Sequence, residues 1–137
     1  MALFGVFDVV GSAMNAQTVR LNVTASNLAN ANTVAEDPED TYRARHPAFS
    51  TMIKEFQNEA TAGVRVSGIF ESQAPLRTQF APAHPLADED GYITLPNVNA
   101  IEEMTNMISA SRSYQQNVEV LNTTKQLLQR TLTIGQQ

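Results

Sequence analysis

The chain has 137 residues, no cysteine, and 14 acidic against 9 basic side chains, which gives a net charge of −5. This length predicts one domain, and the absence of cysteine excludes disulfide bonds and thiolate chemistry. The acidic balance argues against nucleic acid as a partner, because binding to phosphates needs a basic surface. No stretch is apolar enough to span a membrane. The apolar residues at the N-terminus follow no basic residue, so we expect no secretory signal peptide.

Residues 1–31 are predicted to form a helix with one continuous packing face. Its positions alternate at intervals of three and four, as in the a and d positions of a heptad. They are Leu3, Phe7, Val10, Met14, Gln17, Leu21, Thr24, Leu28 and Ala31. Small residues flank this stripe, so we expect close packing on more than one side. Asn15, Asn22, Asn27 and Asn30 together cost roughly 2–3 kcal/mol of helix propensity relative to alanine. We therefore expect the helix to depend on packing and to fray in an isolated chain.

Residues 33–96 are predicted to form a small β-rich unit that holds the whole excess of acidic residues. An acidic loop surrounds Pro38. Alternation predicts a short strand over 42–45, a strand over 63–70 and another over 92–95. Residues 48–57 fit either a strand or a helical turn, 58–63 are predicted to be a turn, and 75–80 are a weaker candidate for a strand.

A second long helix is predicted within residues 97–137. Its heptad positions are Met104, Met107, Ser111, Tyr114, Val118, Leu121, Lys125, Leu128 and Leu132. Asn99 can cap the start, and Glu102 follows at the spacing of a capping box. Gly135 is placed to end the helix. Such a helix is roughly 50 Å long at about 1.5 Å per residue, so it needs an equally long partner.

The N-terminal helix supplies that partner. We predict an α+β fold in which 1–32 and 97–137 pair as an antiparallel coiled coil and 33–96 form a separate outer domain. The predicted seam residues of the first helix are Phe7, Val10, Met14, Leu21 and Leu28, and those of the second are Met104, Met107, Tyr114, Val118, Leu121, Leu128 and Leu132. Both helices carry few charges outside the seam, which favours burial against other chains over an ordinary helical hairpin.

No catalytic, metal or cofactor site can be assembled from the sequence. His46 and His84 are each followed by proline, which is typical of turns. Residues 88–93 resemble the middle of an EF-hand loop, but Leu86 and Asn97 occupy positions where acidic ligands are required. A hairpin turn with an acidic tip is the better interpretation. We therefore expect no enzymatic activity, no cofactor and no small-molecule substrate.

Two stretches resemble the signatures of the bacterial flagellar axial proteins, the family of rod, hook and hook-associated proteins. One is 21–33 (LNVTASNLANANT) and the other is 109–125 (SASRSYQQNVEVLNTTK). The short length and the HPLAD segment at 84–88, followed by 91–93 and 96–98, are similar to proximal rod proteins in particular. The signature residues that we carry over are Asn22, Ser26, Asn27, Asn30, Arg112, Tyr114 and Asn117.

The resemblance implies a structural subunit of the proximal rod, a helical driveshaft that transmits torque and encloses the export channel. It implies a coiled coil lining the inside of a tube, with a small domain further out. The implied partners are copies of itself, other rod proteins, the rod–membrane-ring adaptor, the membrane ring and the flagellar type III export apparatus. The implied location is the basal body, spanning the periplasm, after export without signal-peptide cleavage. The alternative is a stand-alone helical adaptor or exported effector that binds one partner through the same stripes.

Overall fold

The computed structural model describes residues 2–35, 37–56 and 59–135 and has an α+β architecture with two long helices and two small sheets. In chain order the elements are α1 (Ala2–Asn30), a short 3-10 helix (Pro38–Asp40), β1 (Arg45–Phe56), β2 (Glu59–Glu71), β3 (Arg77–Phe80), β4 (Tyr92–Leu95) and α2 (Ala100–Ile134). Strand β1 pairs with β2, and β3 pairs with β4, both antiparallel. Neither described helix has the length and hydropathy needed to cross a bilayer.

The ends of α2 confirm the start and stop signals in the sequence. The Asn99 side-chain oxygen accepts hydrogen bonds from the backbone N–H groups of Ile101 at 3.1 Å and Glu102 at 3.4 Å. This satisfies two donors that the first turn of a helix leaves unpaired. The helix ends at Ile134, and the Gly135 N–H donates to the Thr131 carbonyl at 3.1 Å.

Helix α1 packs along α2 in the order expected of antiparallel helices. The Arg20 guanidinium donates to the Asn106 side-chain oxygen at 3.0 Å. Directly after α1, Ala31 lies in the same buried cluster as Val98, which precedes α2. Later residues of one helix therefore meet earlier residues of the other. With 29 and 35 residues, the two helices are roughly 44 Å and 53 Å long at about 1.5 Å per residue.

The β1–β2 hairpin lies against α1, corrects one sequence prediction and resolves a choice that the sequence left open. The turn predicted at 58–63 is wrong for 59–63, which belong to β2, while Asn58 lies outside the described residues. Position 63 favours glycine because a Cβ atom there would lie 2.9 Å from the Ser12 hydroxyl oxygen on α1. The glycine therefore allows close approach to the helix and does not mark a turn. The open choice at 48–57 resolves to a strand as far as Phe56, since Gln57 is also outside the described residues.

The strand predicted at 42–45 is also wrong, because only Arg45 belongs to a strand. The Ala44 N–H donates to the Asn97 side chain at 2.8 Å, so it is not available for a ladder of backbone hydrogen bonds. Alternation of residue types cannot reveal that competition. The strands predicted at 63–70 and 92–95 are confirmed, and the candidate at 75–80 contains β3.

The β3–β4 sheet is closed by an ordered turn with an acidic tip. The Asp88 carboxylate accepts hydrogen bonds from the backbone N–H groups of Asp90 at 3.1 Å and Tyr92 at 2.7 Å. Gly91 has φ of 82°, a conformation that favours glycine. Phe80 and Tyr92 meet edge to face, with their ring centroids 5.3 Å apart. The turn thus sets the register in which Arg77 lies opposite Leu95.

Candidate assembly interface

Helix α1 is covered on more than one side, as its small residues predict. Of its predicted seam residues, Val10 is buried, while Phe7, Met14, Leu21 and Leu28 are half-buried. The buried residues outside the seam are Ala16, Val23, Thr24 and Asn27. The hairpin accounts for part of this burial, because the Val64 N–H donates to the Ser12 hydroxyl at 3.1 Å. The same hydroxyl donates to the Val9 carbonyl at 2.7 Å, so Ser12 joins the hairpin to the helix backbone.

The fully buried side chains of α2 lie one position before one of the two rows of the predicted heptad, the row that contains Met104, Ser111 and Lys125. Glu103, Ala110 and Thr124 are its buried side chains, and they differ by multiples of seven. The half-buried predicted residues are Met107, Tyr114, Val118, Leu121 and Leu128. The structure leaves the predicted residues Met104 and Leu132 exposed at 51% and 61%. Ala110 and Thr124 are small, so they allow α1 to approach closely. A sequence search for large apolar residues does not identify them.

Asn27 joins the end of α1 to the start of β1. Its side chain is 1% exposed. Its oxygen accepts from the Tyr42 hydroxyl and the Arg45 N–H, both at 2.9 Å, and its NH₂ group donates to the Arg45 carbonyl at 2.8 Å. Asn27 therefore pairs with both backbone groups of one strand residue. An amide is required because a carboxylate accepts hydrogen bonds but cannot donate them.

A second asparagine, Asn97, also forms hydrogen bonds with backbone groups and lies just before α2. Its oxygen accepts from the Ala44 N–H at 2.8 Å, and its NH₂ group donates to the carbonyls of Ser72 at 3.3 Å and Ala74 at 2.8 Å. Arg77 adds two hydrogen bonds, to the carbonyls of Pro96 at 2.8 Å and Ala31 at 2.9 Å. We call Asn27, Tyr42, Arg77 and Asn97 the junction, because together they connect both helices to both sheets.

An exposed ion pair joins the two strands of the β1–β2 hairpin. Arg45 and Glu71 form an ion pair at 3.1 Å, and both side chains are about half exposed, so the pair contributes little to stability. In the part of the chain that the structure describes, no three acidic or histidine side chains come together in a way that could hold a metal ion.

Comparison with known proteins identifies the family. A family model described as "Flagella basal body rod protein" matches residues 7–34, and one described as "Flagellar basal body rod FlgEFG protein C-terminal" matches 89–134. The chain is 50% identical over 136 residues to the flagellar basal-body rod protein FlgC of Salmonella typhimurium, covering 99% of this chain and 100% of the relative. The corresponding identity is 52% for FlgC of Yersinia enterocolitica, with the same coverage, and 34% for FlgC of Borreliella burgdorferi, covering 99% of each chain. This chain belongs to the FlgC family.

The signature residues carried over from the axial-protein family lie in three places in the structure. Ser26 and Asn30 lie next to Asn27, with the Ser26 hydroxyl 3.3 Å from the Tyr42 hydroxyl and the Asn30 NH₂ group donating to the Ser26 carbonyl at 2.8 Å. Asn22 is exposed on α1. The remaining three lie within α2 away from the junction, where Arg112 is exposed and Tyr114 and Asn117 are half-buried.

Sequence reasoning missed most of the junction. It singled out Asn27 through the family signature, but Tyr42, Arg77 and Asn97 were not recognised as functional residues. The available signal was the position of Asn97, a polar residue between Pro96 and Val98 and two positions before the predicted helix cap Asn99. The two family models include Asn27 and Asn97, whereas Tyr42 and Arg77 lie between the matched segments.

Proposed function

We propose that this chain is a structural subunit of the proximal rod of the bacterial flagellar basal body. The observation that carries the proposal is the sequence identity of 50% and 52% to two FlgC rod proteins over 136 residues. The subunit assembles with other rod components and with copies of itself. Its relatives are structural proteins, and no comparison supports the alternative of a stand-alone adaptor or an enzyme.

The terminal segments act as the assembling part. Residues 1–32 and 97–137 pair as an antiparallel coiled coil, and 33–96 form the outer unit. Support comes from the order of the contacts, Arg20 with Asn106 and Ala31 with Val98. Glu103, Ala110 and Thr124 are separated by multiples of seven residues, and this spacing also supports a coiled coil. The half-buried seam residues of α2 then become fully covered only when neighbouring subunits are in place.

Torque passes through packed helices, and no bond is made or broken. The junction contributes to the transmission of torque because it fixes both helices to the sheets through hydrogen bonds to backbone carbonyl and N–H groups. Such bonds have defined directions, so they resist rotation of the helices relative to the outer unit. The helices enclose the export channel, and their low charge suits surfaces that are covered by other subunits.

The further partners are the membrane ring, its adaptor to the rod and the flagellar type III export apparatus. The subunit is exported unfolded, keeps its N-terminus, and assembles where the rod spans the periplasm. The absence of cysteine and the low helix propensity of α1 suit passage of an unfolded chain.

Mass spectrometry of purified basal bodies from the source organism tests the proposal. We expect this chain to be present in constant proportion to the other rod proteins, with an uncleaved N-terminus. Basal bodies from a strain lacking the gene are the control for contamination. Absence of the chain from intact basal bodies would contradict the assignment, and a processed N-terminus would contradict the export route.

A further inference from the structure

The β1–β2 hairpin contacts α1 at two widely separated points. At one point Asn27 pairs with Arg45 in the junction, and at the other the Val64 N–H donates to the Ser12 hydroxyl. On α1 the two points are roughly 22 Å apart at about 1.5 Å per residue. On β1 the distance from Arg45 to Thr51, the partner of Val64, is roughly 20 Å at about 3.3 Å per residue. Because these lengths agree, the hairpin runs alongside α1 between the two points.

The contact far from the junction is close because glycine lies on both sides of it. A Cβ atom at Gly63 would lie 2.9 Å from the Ser12 hydroxyl oxygen, and one at Gly5 would lie 2.7 Å from the Thr61 methyl group. Gly5 and Ser12 are two turns apart on one side of α1, and Thr61 and Gly63 lie on one face of β2. The close approach is therefore repeated along the contact.

A β-bulge divides the hairpin between the two points. The register shifts between Ala48 and Phe49, so Ser67 on β2 opposes no residue of the described strand β1. A bulge bends a ribbon locally and increases its twist. We call the part beyond the bulge, residues 49–56 and 59–66, the distal arm. A two-stranded ribbon is marginally stable by itself, so the contact with α1 decides how the distal arm is held.

Ser12 holds the distal arm in a defined orientation. Its hydroxyl donates to the Val9 carbonyl at 2.7 Å and accepts from the Val64 N–H at 3.1 Å. Both partners are backbone groups, so hydrogen bonds of defined direction join the helix to the strand. The force that opposes a given torque falls in proportion to its distance from the pivot. A contact roughly 22 Å from the junction therefore opposes rotation of the hairpin with less force than the junction alone requires.

We propose that the distal arm is a brace, which stays on α1 of its own copy in the assembled rod and prevents the hairpin from turning relative to the helices under torque. Ser12 and Gly63 are its positioning residues, because Ser12 supplies the hydrogen bonds and Gly63 allows the close approach. The inference rests on the proposed function, since it requires a subunit that carries torque.

Disulfide trapping tests whether the distal arm stays on α1 in the rod, because the natural chain has no cysteine. A Cβ atom at Gly63 would lie 3.5 Å from the Ser12 Cβ, at the lower end of the range that disulfides span. We expect oxidation of basal bodies containing Ser12→Cys/Gly63→Cys to link the two positions within one chain, as detected by mass spectrometry of unreduced peptides. Free thiols in the assembled subunits, or links between copies, would overturn the inference.

The matched control is Gly11→Cys/Gly63→Cys. Gly11 directly precedes Ser12, but a Cβ atom there meets no described atom within 4 Å. We expect no link within the chain from this control. Equal linking by the two double variants would show that the distal arm moves freely over α1, which would also overturn the inference.

Mechanical load separates bracing from stability. We expect cells with Gly63→Val to lose more flagella by breakage in viscous medium than in dilute medium, because the larger side chain moves the distal arm away from Ser12. The control Ala62→Val enlarges the neighbouring exposed residue and should match the natural chain in both media. A variant that only lowers stability reduces the number of flagella equally in both media, so an equal reduction, or no change, would overturn the inference.

The cysteine pair decides the matter if the Gly63→Val variant does not assemble, because a reductant opens the link in rods that are already built. Breakage in viscous medium should rise when the Ser12→Cys/Gly63→Cys link is reduced, and should not rise for the natural chain under the same treatment. No rise after reduction would overturn the inference. If the natural chain is present in basal bodies, such a failure leaves the rod assignment intact, whereas its absence from basal bodies overturns both.

Discussion

The junction and the helical seam hold this chain together in different ways. At the junction, polar side chains are paired within the single chain, and Asn27 alone makes three hydrogen bonds at 2.8–2.9 Å. Along the seam, many large apolar residues are only half-buried, and Met104 and Leu132 are exposed. The junction is therefore complete in one molecule, whereas the seam and the outer faces of the helices still have apolar surface to bury.

The difference indicates which region governs folding and which governs assembly. A change at the junction should lower the stability of the isolated chain, because it removes interactions that already exist there. If the proposed assembly is right, neighbouring subunits complete the burial of the seam, so a change there should have a modest effect on the isolated chain and a large effect on the rod. Variants that separate stability from assembly test this comparison directly.

The largest effect on stability is expected from Asn27→Ala. The substitution leaves the Arg45 N–H and carbonyl without their side-chain partner, while the Tyr42 hydroxyl still has the Ser26 hydroxyl at 3.3 Å. Unpaired polar groups of this kind cost about 1–3 kcal/mol each when buried. Alanine recovers about 0.6 kcal/mol of helix propensity, so we expect a net loss of about 2–3 kcal/mol in the free energy of unfolding, measured by denaturant titration of the purified chain.

The control for this variant is Asn22→Ala, because Asn22 lies on the same helix but is exposed. We expect it to stabilise the chain slightly through helix propensity alone. Equal unfolding free energies for the two variants would show that the junction does not hold the hairpin to α1.

A smaller loss of stability but a complete loss of rods is expected from Leu121→Asp. Leu121 is half-buried, so a new carboxylate there keeps some access to water and should cost about 1–2 kcal/mol in the isolated chain. In the rod the same carboxylate would be enclosed without a partner. We expect motility to be lost and basal bodies to lack the variant, as measured by swimming assays and mass spectrometry.

Asn122→Asp is the matched control, because it adds the same charge one position along at an exposed site. Assembly of rods from the Leu121→Asp variant would show that Leu121 is not a seam residue. Rods that fail equally with both variants would show that charge on α2, irrespective of position, blocks assembly.

The fold was predictable where local signals decide it. Heptad spacing and the Asn99 cap identified both helices, and β-branched alternation identified the strand at 63–70. The sequence signal failed where a distant residue competes for a backbone group. Asn97 takes the Ala44 N–H, and no pattern within 42–45 indicates that a residue more than fifty positions away will do so.

The candidate site was predictable only in part, for a related reason. Large apolar residues mark a helix face, so Met107, Tyr114 and Leu121 could be identified. Buried polar residues such as Asn27 and Asn97 look like ordinary loop or helix-end residues unless their backbone partners are known. The glycines show the same ambiguity, since Gly63 could indicate a turn, while the structure places it in a strand that closely approaches α1.

The smallest effects, with opposite signs, are expected from Gly11→Ala and Gly63→Ala. A Cβ atom at Gly11 meets nothing within 4 Å, and alanine in a helix interior is more stable than glycine by about 1 kcal/mol. At Gly63 the new Cβ would lie 2.9 Å from the Ser12 hydroxyl oxygen. Ser12 cannot move away without losing its hydrogen bonds to Val9 and Val64, so we expect a loss of about 1 kcal/mol.

The same two variants also separate an effect on the stability of the chain from an effect on assembly. Denaturant titration should show a gain for Gly11→Ala and a loss for Gly63→Ala, because only Gly63 lies where the hairpin meets α1. If Gly63→Ala were as stable as Gly11→Ala, the hairpin would not approach α1 as closely as the Val64–Ser12 hydrogen bond requires. Gly11 is exposed in the single chain, so reduced motility of the Gly11→Ala variant, despite its higher stability, would identify this side of α1 as a surface that neighbouring subunits cover.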